Sequence, residues 1–216
     1  MNLVYPLKTG SRQDEIKFSL RSVEKFVRGV DDIYVIGTET VPNTIFIEHP
    51  DSQPRPAANT YLKCRKACEI MPNFLWMNDD IYFTRPIHVD DIPLIHKGLL
   101  PDHNRTSHDY QDELGHTRRY LKSIGATTYS FEVHCPMPIV SDVFLRVTPI
   151  QLCTTGRPIV QWRSVYGNTC GFPSVKMNDN KIFGHKRYEP VNMLKPFFVS
   201  SSAKIHPSLL QWLKRL

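Results

Sequence analysis

The chain has 216 residues, 41% of them hydrophobic and 22% charged, with a formal net charge of +6. That length fits one α/β domain, or one with a small appended subdomain, and can bury a core without disulfides or a structural metal. No apolar run of about 18 residues predicts a membrane span. The opening residues lack the basic and apolar regions of a signal peptide, so a cytoplasmic protein is expected, and basic residues spread along the chain fit nucleotide phosphates at least as well as nucleic acid, which is not expected as a partner.

Residues 2 to 7, Asn-Leu-Val-Tyr-Pro-Leu, read as a first strand followed by the polar loop Lys8 to Gln13. From Asp14, Ile16, Phe18, Leu20, Val23, Phe26 and Val27 recur at roughly helical spacing, with Gly29 placed to end the helix. Ile33 to Ile36 and Thr44 to Glu48 are the next expected strands. A second helix is predicted over 57–71, ended by Pro72, and it carries Cys64 and Cys68. These two cysteines, with Cys135, Cys153 and Cys170, form no CxxC pair or close Cys/His set and read as reduced core thiols.

The next segment, Asn-Phe-Leu-Trp-Met-Asn-Asp-Asp-Ile-Tyr-Phe over 73–83, reads as a strand with two adjacent carboxylates at its centre. Ionised side chains are costly to bury without a compensating charge. The simplest one is a hard divalent cation, magnesium or manganese, which usually shares its shell with substrate phosphates. Alternating strand and helix to this point predicts a parallel or mixed sheet covered by helices, with ligands gathered at the carboxyl ends of the strands.

Beyond residue 90 the pattern loosens. Residues 101–120, with His103, Arg105, His108, His116, Arg118 and Arg119, read as a long loop with helical pieces, suited to an acceptor site or lid. Phe131 to Val140 is apolar with two prolines, Ser141-Asp142 are placed to cap a helix through Ile150, and a last amphipathic helix runs from Pro207 to Leu216. A nucleotide-sugar/metal half (1–90) and a loop-rich acceptor-side half (91–216) are thus expected within a single domain.

Glu15-Ile16-Lys17-Phe18-Ser19-Leu20-Arg21-Ser22-Val23-Glu24-Lys25, followed by Ile33-Tyr34-Val35-Ile36, resembles the second signature region of the Stealth proteins. That family holds bacterial capsular polysaccharide phosphotransferases and the catalytic part of the lysosomal-enzyme N-acetylglucosamine phosphotransferase. Asn78-Asp79-Asp80 stands where the family pattern has its Asn-Asp-Asp. His134-Cys135-Pro136 resembles a His-x-Pro motif, Arg163-Ser164 an Arg-Ser pair, and Lys176-Met177-Asn178-Asp179 the fourth region. The resemblance covers most of the chain at low density and is most specific over 15–83. It departs at the family's Trp-Val-Asp, where this chain has Pro6-Leu7-Lys8, with Asp14 the nearest aspartate.

The resemblance implies a GT-A-like α/β fold, a mixed sheet flanked by helices, and transfer of a sugar 1-phosphate from a UDP-sugar to a glycan hydroxyl with release of UMP. The alternative at the same site is glycosyl transfer with release of UDP; a third class is a binding domain without turnover, against which both carboxylates argue. Asp79 and Asp80, with Asp179, are the expected metal ligands, one of the strand pair binding directly and the other through water or a neighbouring contact; the bland alternative is a solvated acidic pair at a strand end. His134 suits a general base or a structural histidine, and Arg163 a phosphate clamp or a surface arginine. Asn178 fits a sugar or metal contact or an Asn-Asp turn. Arg21 fits the diphosphate or a pair with Glu24, and Asn59 an N-cap or a polar contact beside the metal. Asn78 and Lys8 are expected at the donor.

Overall fold

The structure is a computed structural model that describes residues 1–10, 14–101, 109–131, 134–155, 158–178, 180–184, 195–201 and 205–216. It is a mixed α/β protein. β1 (Asn2–Pro6) sits at the centre of a five-stranded sheet, with β3 (Ile33–Gly37) and β4 (Ile45–Glu48) on one side and β5 (Asn73–Trp76) and β9 (Met137–Val140) on the other. All pairings are parallel except β5 with β9. Leu3, Val4 and Tyr5 are wholly buried, as a central strand covered on both faces requires.

Side chains alternate across the sheet, so the two faces feed separate cores. Leu3, Tyr5 and Leu75 join Ile16 and Val23 of α1 (Asp14–Phe26) on one face. Val4, Phe74 and Trp76 meet Tyr61 of α2 (Pro56–Cys68) on the other. Phe144 of α4 (Ser141–Val147) and Trp162 and Tyr166 of α6 (Trp162–Thr169) complete that second core. All five cysteines are free, and Cys64, Cys68, Cys135 and Cys153 are buried.

Several element boundaries differ from expectation. α1 stops at Phe26 because Val27–Arg28 form a short strand, β2, parallel to β7 (Ile87–His88); Gly29, at φ 78°, turns the chain after it. α2 ends at Cys68, four residues before Pro72. The helix expected to run on to Ile150 stops at Val147, because Pro149 cannot continue it, and α5 (Ile150–Thr154) restarts the chain. Ser141 does not cap α4; its hydroxyl donates to the Met71 carbonyl.

The largest correction concerns 73–83, which is not one strand. β5 ends at Trp76, and after a turn β6 (Ile81–Phe83) enters a second sheet, antiparallel to β12 (Phe198–Ser201) and followed there by β11 (Lys181–Ile182). Asp79 and Asp80 lie in that turn. A buried strand interior has no water or cation for two adjacent carboxylates, whereas a turn offers backbone N–H groups.

β8 (Leu94–His96) pairs with β10 (Ser174–Lys176), α3 (Asp109–Ser123) lies in the polar segment, and α7 (Pro207–Leu213) closes the chain. A short 3₁₀ turn spans Val89–Asp91. No helix among the described residues is long and apolar enough to cross a membrane.

Gly167 inside α6 marks a close approach, since a Cβ there would collide with the ring of Phe131, itself 1% exposed. Gly167→Ala is expected to destabilise the fold by about 1–3 kcal/mol through overpacking despite its better helix propensity. Chemical denaturation checks this, and a gain in stability would show that Phe131 has room to move.

Candidate functional site

β1 leads by way of α1 to β3 on one side, and the chain returns by way of α2 to β5 on the other, so the order in which the parallel strands are laid down reverses between β1 and β5. Open α/β sheets bind ligands at the carboxyl ends of the strands beside such a reversal. Two adjoining cavities open there. One, of ≈ 350 Å³, lies against Leu7 and Lys8 after β1, Asn78 and Asp79 after β5, and Asn59 and Lys63 of α2. The other, of ≈ 260 Å³, is lined by His134, Gln161, Trp162 and Arg163, with Trp76 and Tyr110. Asn78, Thr60 and Pro56 border both, so the two form one cleft with Asn78 at its waist.

Asp80 is 9% exposed, and its Oδ2 lies 3.1 Å from Nδ1 of His134. The Nε2 of that ring lies 3.3 Å from Nζ of Lys181 on β11. A lysine ammonium only donates, so Nε2 accepts, and the His134 proton belongs on Nδ1, donated to Asp80. Among the described residues the other oxygen of Asp80, Oδ1, is buried without a hydrogen-bond partner.

Asp79 is half-buried, and its carboxyl is pushed up to about 7, first by burial and then by the negative charges of Asp80 and Glu15. Glu15, in the first turn of α1, is raised by burial and by Asp80, while the Ser201 hydroxyl donating to it at 3.1 Å and the Lys181 ammonium act against the shift. The backbone N–H of Ser201 donates to the Asp80 carbonyl at 3.0 Å, tying β12 to the acidic turn.

No group of three or more His, Cys, Asp or Glu side chains placed to hold a metal ion occurs among the described residues, and Asp179 lies outside them. The carboxylates in the acidic turn that could hold one are the pair Asp79 and Asp80. The pair suits magnesium or manganese in its donor chemistry, two adjacent carboxylates with the Asp80 Oδ1 buried and without a hydrogen-bond partner among the described residues. Such ions are commonly held by one or two carboxylates, with water and substrate phosphate completing the shell.

Arg163 is no surface arginine. It is 8% exposed on α6, its guanidinium 5.6 Å from the Trp162 ring centroid and donating to the Cys135 carbonyl at 3.4 Å. Asn59 is not an N-cap, because Arg55 occupies that position in α2. Its Oδ1 accepts from the backbone of Ser52 and Gln53, and its Nδ2 donates to the Gln53 carbonyl, so it shapes the loop that walls the first cavity.

Arg21 lines neither cavity. It stands on the exposed face of α1, opposite the buried Ile16, Ser19, Ser22 and Val23, with its guanidinium 5.7 Å from the Phe18 ring centroid. Asn178 is exposed after β10 and borders neither cavity. His103, Arg105 and His108 lie outside the described residues.

Three residues at the acidic turn and the cleft escape a reading by pattern. Glu15 was visible only as the first residue of the α1 motif. Lys181 has no local signature. Lys63 of α2 is 2% exposed, its ammonium donating to the Leu7 carbonyl at 2.5 Å and to Asp51 at 2.6 Å. The backbone N–H of Thr9 donates to the same Asp51 carboxylate at 3.0 Å, so Lys63 and Asp51 pin the loop after β1 over the first cavity.

Compared with known proteins, the chain matches no family model and no curated protein.

Proposed function

We propose that the protein is a GT-A-like, metal-dependent transferase that moves a sugar 1-phosphate from a UDP-sugar to a glycan hydroxyl and releases UMP. The observation that carries this reading is convergence: His134 and Arg163 line one cavity of the cleft, and Asp80, from a third motif far away in the chain, lies behind it with its Oδ2 3.1 Å from His134 Nδ1. The Stealth resemblance of the same three motifs supports it.

The acceptor hydroxyl attacks the sugar-bearing phosphorus in line. A P–O bond to the acceptor forms, the bond to the bridging oxygen breaks, and UMP leaves with that electron pair. His134 takes the hydroxyl proton on Nε2 as Lys181 gives up that position, and Asp80 on Nδ1 steadies the resulting imidazolium. The Arg163 guanidinium pairs with charge on the transferring phosphoryl oxygens. Asp79 and Asp80 would hold the magnesium or manganese, whose chemistry is neutralisation of the diphosphate charge. Lys8 and Asn78 border the donor cavity.

Glycosyl transfer is the second reading. Lys8 stands at the donor cavity where the family pattern has its aspartate, and a cation there suits a departing diphosphate. Incubation of the purified protein with manganese, UDP-sugars and candidate glycan acceptors, followed by chromatography of the nucleotides, decides between them. UMP is the expected product; UDP as the sole product transfers the assignment to glycosyl transfer, and no nucleotide release under any pairing rejects both.

A further inference from the structure

The Leu-Arg-Ser motif on α1 leaves its arginine outside the cleft, and what surrounds Arg21 has a character of its own. Lys17, Arg21 and Lys25 are spaced four apart and exposed, forming a cationic row about 12 Å long opposite the face that packs on the protein. Two exposed acids, Asp14 before Lys17 and Glu24 beside Lys25, flank the row, Arg28 extends the positive charge beyond the helix, and of the acids that follow it Asp31 is paired with the N-terminal ammonium. α7 packs beside this row: Phe18 meets the cluster of Leu209 and Leu213, and Phe26 stacks on Trp212 with centroids 6.2 Å apart. Lys214 and Arg215, both exposed, follow directly.

We propose that this α1–α7 face docks on a bilayer surface rich in anionic lipid. The cations supply charge complementarity, and the partly buried Phe18, Phe26 and Trp212 among them supply apolar rings at the edge of the surface. Lys25 lies 5.6 Å from the Phe26 ring centroid and Arg21 beside Phe18, so each charge is paired with a ring it can rise past towards lipid phosphate. A nucleic-acid track is the weaker fit. Phe26 and Trp212 stack on each other with planes 6° apart, so each ring takes one face of the other instead of a base. The row starts two residues beyond Glu15, whose carboxylate accepts from the Ser201 hydroxyl beside the acidic turn. The proposal is independent of which bond the cleft breaks.

Co-sedimentation of the full chain with vesicles of phosphatidylcholine alone, or mixed with phosphatidylglycerol, tests it. Binding is expected to the mixed vesicles only, with release at about 0.5 M salt. A blue shift in tryptophan emission is also expected, since Trp76 and Trp162 are already buried and Trp212 is half-exposed. Lys17→Gln, Arg21→Gln and Lys25→Gln combined should weaken binding roughly tenfold to a hundredfold. Far-ultraviolet circular dichroism and the thermal midpoint serve as the control for fold, because all three side chains are exposed. Equal binding to neutral vesicles, no binding to mixed ones, or binding unchanged in the triple variant overturns the proposal. Tight binding to duplex DNA without vesicle binding would do so as well.

Discussion

Asp80→Asn is expected to lower UMP formation by about three orders of magnitude or more, because in the proposed reaction one carboxylate serves two roles. Its Oδ2 orients His134, and its buried Oδ1 is the oxygen left for a cation. An amide keeps the shape but loses the charge that steadies an imidazolium. His134→Ala should cost about 10²–10⁴ on its own, and combining the two should cost little more than the larger single effect, as groups that act as a unit do. Manganese is expected to raise the thermal midpoint of the wild-type protein and to leave that of Asp80→Asn nearly unmoved. In metal-free buffer the variant should be at least as stable as wild type. Asp79 has its carboxyl pushed up to about 7 from 3.8 by burial, Asp80 and Glu15. An acid raised in the folded state costs stability as pH climbs through that window, and removing the Asp80 charge returns part of it. Unchanged turnover in Asp80→Asn would remove this residue from the chemistry, and full activity in excess EDTA would remove the metal.

Lys63→Met should be the most destabilising single substitution near the cleft, at about 3–5 kcal/mol and a fall of roughly 10 °C in midpoint. The methionine fills the space but abandons the Leu7 carbonyl and leaves Asp51 without its cation. Adding Asp51→Asn should recover part of the loss, because an amide tolerates the site without a counter-charge. The pair also sets a pH signature. Burial alone would raise the Asp51 carboxyl, but hydrogen bonds from Lys63 and Thr9 and the Lys63 charge hold it below its ordinary 3.8. An acid lowered in the folded state contributes stability that is present above 3.8 and lost as pH falls through the folded value. Acid titration of the wild type by circular dichroism should show this loss, and Lys63→Met should lack it. If the variant melts like wild type, the loop after β1 is held by something other than this pair.

The first half of the fold was legible because its signals are local. The spacing of Ile16 and Val23 and the apolar run Ile33 to Ile36 report burial within one element, the β-prone run Thr44 to Glu48 gave a strand over Ile45–Glu48 with little burial, and each formed the type of element expected. The strand over 73–83 misled for the same reason. Apolar residues flank Asn78-Asp79-Asp80 on both sides, and nothing local says that those before pair with β1 and those after with β12, more than a hundred residues downstream. Glu15, Lys63 and Lys181 were missed because each acquires its role only from a partner on another element.

The charge anomaly at Asp79-Asp80, the alternation of strands and helices, and the chemistry of His134 and Arg163 were properties of the sequence itself, because composition and period are written in neighbouring residues. That the acidic pair occupies a turn between two sheets, that His134 carries its proton towards Asp80, and that Arg21 faces away from the cleft were decided by tertiary structure alone. Each depends on which distant segment supplies a hydrogen-bond partner or a covering surface, and no local spacing encodes that choice.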